Sequence, residues 1–255
     1  MPAKHGKKSA VSSPANTSPQ QETALFPIVG IGASAGGLEA LEQFLGHVLE
    51  NSGMAFVIIQ HLDPTHKGIM PELLQRATGM EVFQVRDRLR VKPNCVYVIP
   101  PNKDMSILHG VLHLFDPAEP RGLRLPIDFF LRSLAEDRQE QSIGVILSGM
   151  GSDGTMGLRA IKEKAGVALV QEPASAKFDS MPRSAIDAGL ADLVAPVEQP
   201  ADQARKTPPA GRPARSAGRT STCSCSHVAG SRKKLVTPMR SSLKRSSTSW
   251  GFSCR

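Results

Sequence analysis

Three polar residues each follow an apolar run: Ser34 after "IVGIG", His61 after "AFVIIQ" and Asp153 after "GVILSGMGS". A serine hydroxyl is a poor nucleophile until a base takes its proton. An imidazole does this near neutral pH, and a carboxylate fixes its tautomer and stabilises the imidazolium. The three residue types together are the set a serine hydrolase needs. Gly32-Ala33-Ser34-Ala35-Gly36 also fits G-x-S-x-G, a sharp strand-to-helix turn that projects its serine.

The same stretch, "IVGIGASAGG" from Ile28 to Gly37, admits a rival reading. In G-x-G-x-x-G register, Gly30, Gly32 and Ala35 or Gly36 fall where a dinucleotide pyrophosphate would rest. That site also wants an acidic residue at the end of the second strand, about 20 residues on, for the ribose. Here that strand ends in Gln60-His61, which suits catalysis better. Chain order separates hydrolase families too. The order is Ser34, His61, Asp153, and the only histidine after Asp153 is His227, so the α/β-hydrolase order of serine, acid, histidine is excluded. Plainer readings stand beside the chemical one. Ser34 fits a structural loop serine, His61 a buried histidine, and Asp153 the N-cap of a helix beginning near "GTMGLRAI".

Positioning three such groups requires strands whose ends share a rim. "FPIVGI", "MAFVIIQ", "SIGVILS" and "VALVQ" are short apolar runs, as buried parallel strands should be. "EVFQVR" and "CVYVIP" add further strands, "DMSILHGVLHLF" reads as a hairpin about His109-Gly110, and "ADLVAP" as an edge strand. Helical spacing runs through "GLEALEQFLGHVLE", "GIMPELLQRATG" closed by Gly79, "PIDFFLRSLAEDR" with Pro126 in its first turn, "TMGLRAIKEKAG" and "PRSAIDAGL". Strands alternating with helices predict an α/β fold. It is a doubly wound, mostly parallel sheet with helices on both faces, three layers in a single domain without internal repeats. Ligand sites in such sheets lie beyond the carboxyl ends of the strands, where Ser34, His61 and Asp153 all fall. Arg124, Asp128 and Arg183 are candidates for a substrate groove or for surface ion pairs. His66 reads as a surface or cap residue, and His109 and His113 as structural.

The chain of 255 residues carries +8 overall, but the charge is uneven. Residues 201–255 hold twelve Lys and Arg against one acid, Asp202. That is +11, which leaves −3 for the first 200. This Ser-, Arg-, Pro- and Gly-rich tail lacks helix or strand periodicity and is expected to be a disordered, solvated segment. Its abrupt change of style also fits a shifted reading frame or a truncated continuation. Residues 1–25 read as a polar leader without the apolar core of a secretory signal, and 26–200 as the folded domain. With an acidic domain, nucleic acid is not the expected ligand. No apolar run approaches the roughly 18 residues a membrane span needs, so no membrane insertion is expected. Cys95 and the tail cysteines Cys223, Cys225 and Cys254 form no disulfide framework, which fits a reducing cytoplasm. Cys223, Cys225 and His227 lack a second ligand pair, so no zinc or other metal is expected, and no cofactor.

"IGASAGG", "QH", "YVIPPNKDM", "GVILSGMGSDG" and "MPRSAI", in that order, resemble the catalytic domain of CheB-type chemoreceptor methylesterases. The resemblance covers roughly Phe26 to Val197. It implies a cytoplasmic protein-glutamate methylesterase of bacterial chemosensory signalling, with a related receptor glutamine deamidase activity. Its partner would be the cytoplasmic helical region of methyl-accepting chemoreceptors. Carried over by motif, Ser34 is the nucleophile, His61 the base and Asp153 the carboxylate. Met150 would offer its backbone N–H to the oxyanion. The family often has threonine after the serine. Ala35 here retains a backbone N–H for the oxyanion but has no hydroxyl. Residues 1–25 cannot contain the phospho-receiver domain the family commonly carries. Some relatives instead precede a methyltransferase-like domain and sensor domains, and descent from such a hybrid would make the tail the place where a partner domain was lost.

Overall fold

The computed structural model describes residues 26–61, 69–117, 119 and 124–198. The leader, the tail with Cys223, Cys225, His227 and Cys254, and His66 lie outside the described residues.

The chain runs β1 (Ile28–Ala33), α1 (Gly37–Gly46), β2 (Ala55–Gln60), α2 (Ile69–Ala77), β3 (Glu81–Gln84), β4 (Leu89–Arg90), β5 (Cys95–Val98), β6 (Asp104–Leu108) and β7 (Val111–Phe115). It continues through α3 (Pro126–Arg138), β8 (Ser142–Ile146), α4 (Thr155–Glu163), β9 (Val167–Gln171), α5 (Ser180–Asp187) and β10 (Leu193–Ala195). Seven strands form a sheet in the order β10-β9-β8-β1-β2-β5-β3, and every adjacent pair is parallel. The sequence pattern follows from this burial. β1 and β8 are buried at every residue, hence their unbroken apolar runs, while the edge strands β3 and β10 are partly exposed.

Alternate side chains of β1 feed two cores. Val29, Ile31 and Ala33 pack with Leu41, Phe44 and Leu45 of α1 and Leu74 of α2. On the other face lie Ile127, Phe130 and Leu131 of α3, Leu158 and Ile161 of α4, and Met181 and Ala185 of α5. The expected three layers are therefore present. What Gly30 and Gly32 do is now visible. A Cβ on Gly30 would stand 2.7 Å from Leu131 Cδ2, and one on Gly32 2.4 Å from Ile127 Cγ2. These glycines let α3 lie close over β1, so their spacing serves a helix rather than a pyrophosphate.

The expected hairpin is β6–β7, with Leu108 paired to Val111. It joins β4 in a separate three-stranded antiparallel sheet. Both turn residues, His109 and Gly110, have positive φ (50° and 70°), as a two-residue hairpin turn requires. Their N–H groups both donate to the Asp137 carboxylate at the end of α3. β4, only two residues long, leaves no periodic trace and was not expected from the sequence. One local expectation fails. Gly79 follows α2 but does not take the left-handed conformation of a helix cap; a Cβ there would meet the Glu50 carboxylate.

Candidate active site

β8, β1 and β2 are neighbours in the sheet, so their carboxyl ends share one rim. The strand order changes direction about β1, the place where such sheets form crevices. Ser34 follows β1 directly. Its N–H donates to Ser148 O at 3.0 Å, its carbonyl accepts from Gly37 N at 2.9 Å, and Gly36 turns the chain into α1 with φ 68°. This is the strand–turn–helix elbow expected of the motif.

Ser148, buried after β8, ties the elbow to its surroundings. Its Oγ donates to Ala35 O at 2.9 Å and accepts from Phe178 N at 3.0 Å. Its N–H donates to the buried Gln171 Oε1 at 2.9 Å. Gly149 is confined as well. A Cβ there would lie 2.2 Å from Met181 Sδ and 3.0 Å from Ser34 Cβ. Helix α5 pegs the following turn: Gly151 N donates to Ser180 Oγ at 2.9 Å, and Ser184 Oγ donates to Gly151 O at 3.3 Å.

His61 directly follows β2 and reaches both partners. Ser34 Oγ lies 3.2 Å from its Nδ1, and Asp153 Oδ2 lies 3.0 Å from its Nε2. With the Nε2 proton directed to Asp153, Nδ1 presents its lone pair to the hydroxyl. The His61 side chain is 35% exposed and that of Asp153 only 3%, so the imidazole meets solvent while its carboxylate partner is sealed.

Asp153 does not cap its own helix. The N-cap of α4 is Gly154, with φ 94°. The Asp153 carboxylate instead accepts from Ile127 N (Oδ2, 3.0 Å) and Asp128 N (Oδ1, 2.9 Å), the second and third residues of α3. It thus serves α3 as an N-cap side chain would, from a distant part of the chain. The arrangement is reciprocal. Asp128 Oδ1 accepts from Gly157 N, the third residue of α4, at 2.6 Å. Burial is the main force raising the Asp128 carboxyl above the usual carboxylate range; the Gly157 N–H opposes it, and the Asp153 charge adds to the rise.

A cleft of about 560 Å³ opens beside these groups, lined in part by Gln60, His61, Arg124, Leu125, Met150 and Asp153. Of the groove candidates, Arg124 lines it and holds Asp104 at 3.1 Å. Asp128 does not line it, because its carboxylate is consumed in helix capping. Arg183 pairs with Asp179 one turn away, at 2.6 Å, outside the cleft lining. Met150 stands 60% exposed at the cleft. Among the described residues, the N–H groups of Ala35 and Met150 have no protein acceptor, whereas those of Ser34, Gly149 and Gly151 are taken. His109 sits in the hairpin turn, and His113 lies 4.0 Å from Asp87; both are away from the triad. Sequence reasoning missed Ser148, Ser180 and Ser184, and gave Asp128 the wrong place. The "MPRSAI" stretch was a signal, since it carries Met181 and Ser184. No group of three or more His, Cys, Asp or Glu able to hold a metal occurs among the described residues.

The sequence profile of the CheB methylesterase family matches residues 29–204. A protein-glutamate methylesterase/protein-glutamine glutaminase of Geobacter sulfurreducens is 33% identical over 180 residues, 68% of this chain and 50% of its own length. The chain thus spans about half of that relative. A relative from Leptospira interrogans is 34% identical over 178 residues, 69% of this chain and 92% of its own. The crystal structure of the Thermotoga maritima CheB methylesterase catalytic domain matches with a TM-score of 0.66 at 29% identity, covering 71% of this chain and 98% of that one.

Proposed function

The chain belongs to the CheB methylesterase family, and we propose that it hydrolyses γ-methyl esters of glutamate side chains on chemoreceptors, with Ser34 as nucleophile. The observation that carries this reading is the hydrogen-bonded series Ser34–His61–Asp153 beside an open cleft. His61 Nδ1 takes the hydroxyl proton as Ser34 Oγ bonds to the γ-carbonyl carbon. The tetrahedral oxyanion is held by the N–H groups of Ala35 and Met150, a type of donor that contributes about 10²–10³ in rate each. Collapse breaks the bond to the methoxy oxygen, which leaves as methanol with the proton from His61. Water then attacks the glutamyl-serine ester with His61 as base, and Ser34 regains its proton. A glutamine γ-carboxamide follows the same path with ammonia as leaving group, which gives the deamidase activity.

The receptor's cytoplasmic helical region is the proposed partner, and the cytoplasm the proposed compartment. Among the described residues no helix is long and apolar enough to cross a membrane. In related hybrids a methyltransferase-like or sensor domain would be a further partner. The test incubates the chain with receptor carrying labelled methyl esters and measures methanol. Wild type should release it, and Ser34→Ala should not while keeping its fold. Methanol release by Ser34→Ala within a few fold of wild type would sink the mechanism.

A further inference from the structure

We propose that Asp128 is a positioning residue for the triad: it locks the head of α4 against the head of α3 and so holds the Asp153 carboxylate in line with His61. The inference rests on the triad reading above but concerns a residue that touches neither substrate nor nucleophile, being 3% exposed.

Neither α3 nor α4 has a side-chain cap from its own N-cap residue, Leu125 or Gly154. Each helix has its third N–H met by an aspartate from the other, Asp153 for α3 and Asp128 for α4. Residue 128 works in both directions. Its N–H donates to Asp153 Oδ1, while its own carboxylate accepts from Gly157 N. Asp153 lies just ahead of α4, separated from it only by Gly154. Asp153 and Gly154 are the inner residues of a turn closed by Thr155 N donating to Ser152 O at 3.2 Å, and Gly154, at φ 94°, is packed so closely that a Cβ there would stand 2.3 Å from Ile146 Cδ1. That short turn is continuous with the head of α4, and Asp128 grips the first turn of α4 through Gly157 N, so the position of the helix head sets the position of the turn. The two helices are already in close approach there. A Cβ on Gly157 would stand 2.6 Å from Leu131 Cβ and 3.2 Å from Asp128 Cα.

Without the Asp128 carboxylate, the buried Gly157 N–H loses its acceptor. An orphaned buried donor is unfavourable enough to draw the helix head toward water. That movement passes through Gly154 into Asp153, whose Oδ2 must serve both Ile127 N and His61 Nε2 at 3.0 Å. A misplacement of about 1 Å in a catalytic group costs about 10²-fold in rate.

The test compares Asp128→Ala, which removes the acceptor, with Asp128→Asn, which retains an oxygen for Gly157. Both are made in wild-type and Asp153→Asn backgrounds. Asp128→Ala should lower kcat for methyl ester hydrolysis by about 10–10²-fold with KM changed less than about 2-fold, and Asp128→Asn should recover to within about 5-fold of wild type. In the Asp153→Asn background, Asp128→Ala should cost less than about 3-fold, because both residues act on one unit. A second readout is independent of turnover: the low-field imidazole proton of His61 in the NMR spectrum, assigned by its loss in His61→Gln. It should vanish or move upfield in Asp128→Ala and return in Asp128→Asn. Should Asp128→Ala not fold, Asp128→Leu, which fills similar space without offering an acceptor to Gly157 N, is measured in its place. Equal losses in both backgrounds, or Asp128→Asn as impaired as Asp128→Ala, or an unchanged His61 resonance in Asp128→Ala, would each overturn the proposal. If wild type releases no methanol while the resonance behaves as stated, the proposed substrate is wrong and the positioning role stands.

Discussion

Asp153 serves two structures at once: its carboxylate orients His61 and caps α3. Shape alone suggests that Asp153→Asn is harmless to the fold, since the two side chains are nearly isosteric. The hydrogen bonds say otherwise, because all three partners of the carboxylate are N–H donors and an amide presents an NH2 to at least one of them. A buried donor left unmatched costs about 1–3 kcal/mol. Each kcal/mol lowers Tm by about 2–4 °C at this size, so a scanning melt of Asp153→Asn should show a decrease of that order. Its kcat should fall by about 10²–10⁴, because the amide cannot stabilise an imidazolium. An unchanged Tm would mean that the α3 cap is dispensable. Asp128 gives a separate dependence on pH. Its carboxyl is raised in the folded state above its ordinary value of 3.8, chiefly by burial. As pH rises through 3.8 the unfolded chain therefore loses this proton before the folded one, and folding is penalised progressively until the raised folded pKa is passed. Asp128→Asn lacks that term. The Tm of wild type minus that of Asp128→Asn should accordingly increase as pH is lowered from neutral toward 3.8. A difference independent of pH would contradict the raised carboxyl.

At the scale of elements, the site depends on how closely α3 lies over β1. Ile127, whose N–H reaches Asp153, also has its Cγ2 in the space a Cβ on Gly32 would occupy. Gly32→Ala should therefore overpack this contact at a cost of about 1–3 kcal/mol, and kcat should fall with little change in KM, although no triad residue is altered. Wild-type kinetics in Gly32→Ala would show that α3 can retreat without disturbing Asp153. The same glycines mark how far the sequence could be read. β1, β2, β8 and β9 were legible because full or nearly full burial writes an apolar run, and the hairpin because His109-Gly110 separates two short half-buried strands. Chain order placed Ser34, His61 and Asp153 at strand ends, and parallel pairing of β8, β1 and β2 does the rest. The purpose of Gly30 and Gly32 was not legible, since close approach by a phosphate and by a helix demand the same residue. Nor was Asp128. An aspartate two residues beyond a helix-initiating proline is an ordinary first-turn acid, and its partner Gly157 lies 29 residues on, reachable only once α3 and α4 have docked.

For the whole molecule, the question is where the catalytic body ends. Val197 is 1% exposed and packs in the core on the α1 face of the sheet, and Ala195 O accepts from Glu172 N at 2.8 Å. β10 closes the sheet edge through three register pairs with β9. The polypeptide through Val197 is thus part of the fold, and the net charge of +11 begins only after it, beyond residue 200. No buried residue or sheet pairing among the described residues depends on that segment. The chain ending at Pro200 should therefore keep its Tm within about 2 °C, less than about 1 kcal/mol at this size, and should retain its methanol release. The chain ending at Asp192 should lose both, because it removes β10 and uncovers the core beneath Val197. Binding of the full chain to a nucleic acid duplex, if measured, should disappear with residues 201–255 and weaken steeply with salt, as counterion release by clustered Lys and Arg requires. A lower Tm or slower methanol release from the chain ending at Pro200 would place the boundary later and make the basic segment a working part of the enzyme.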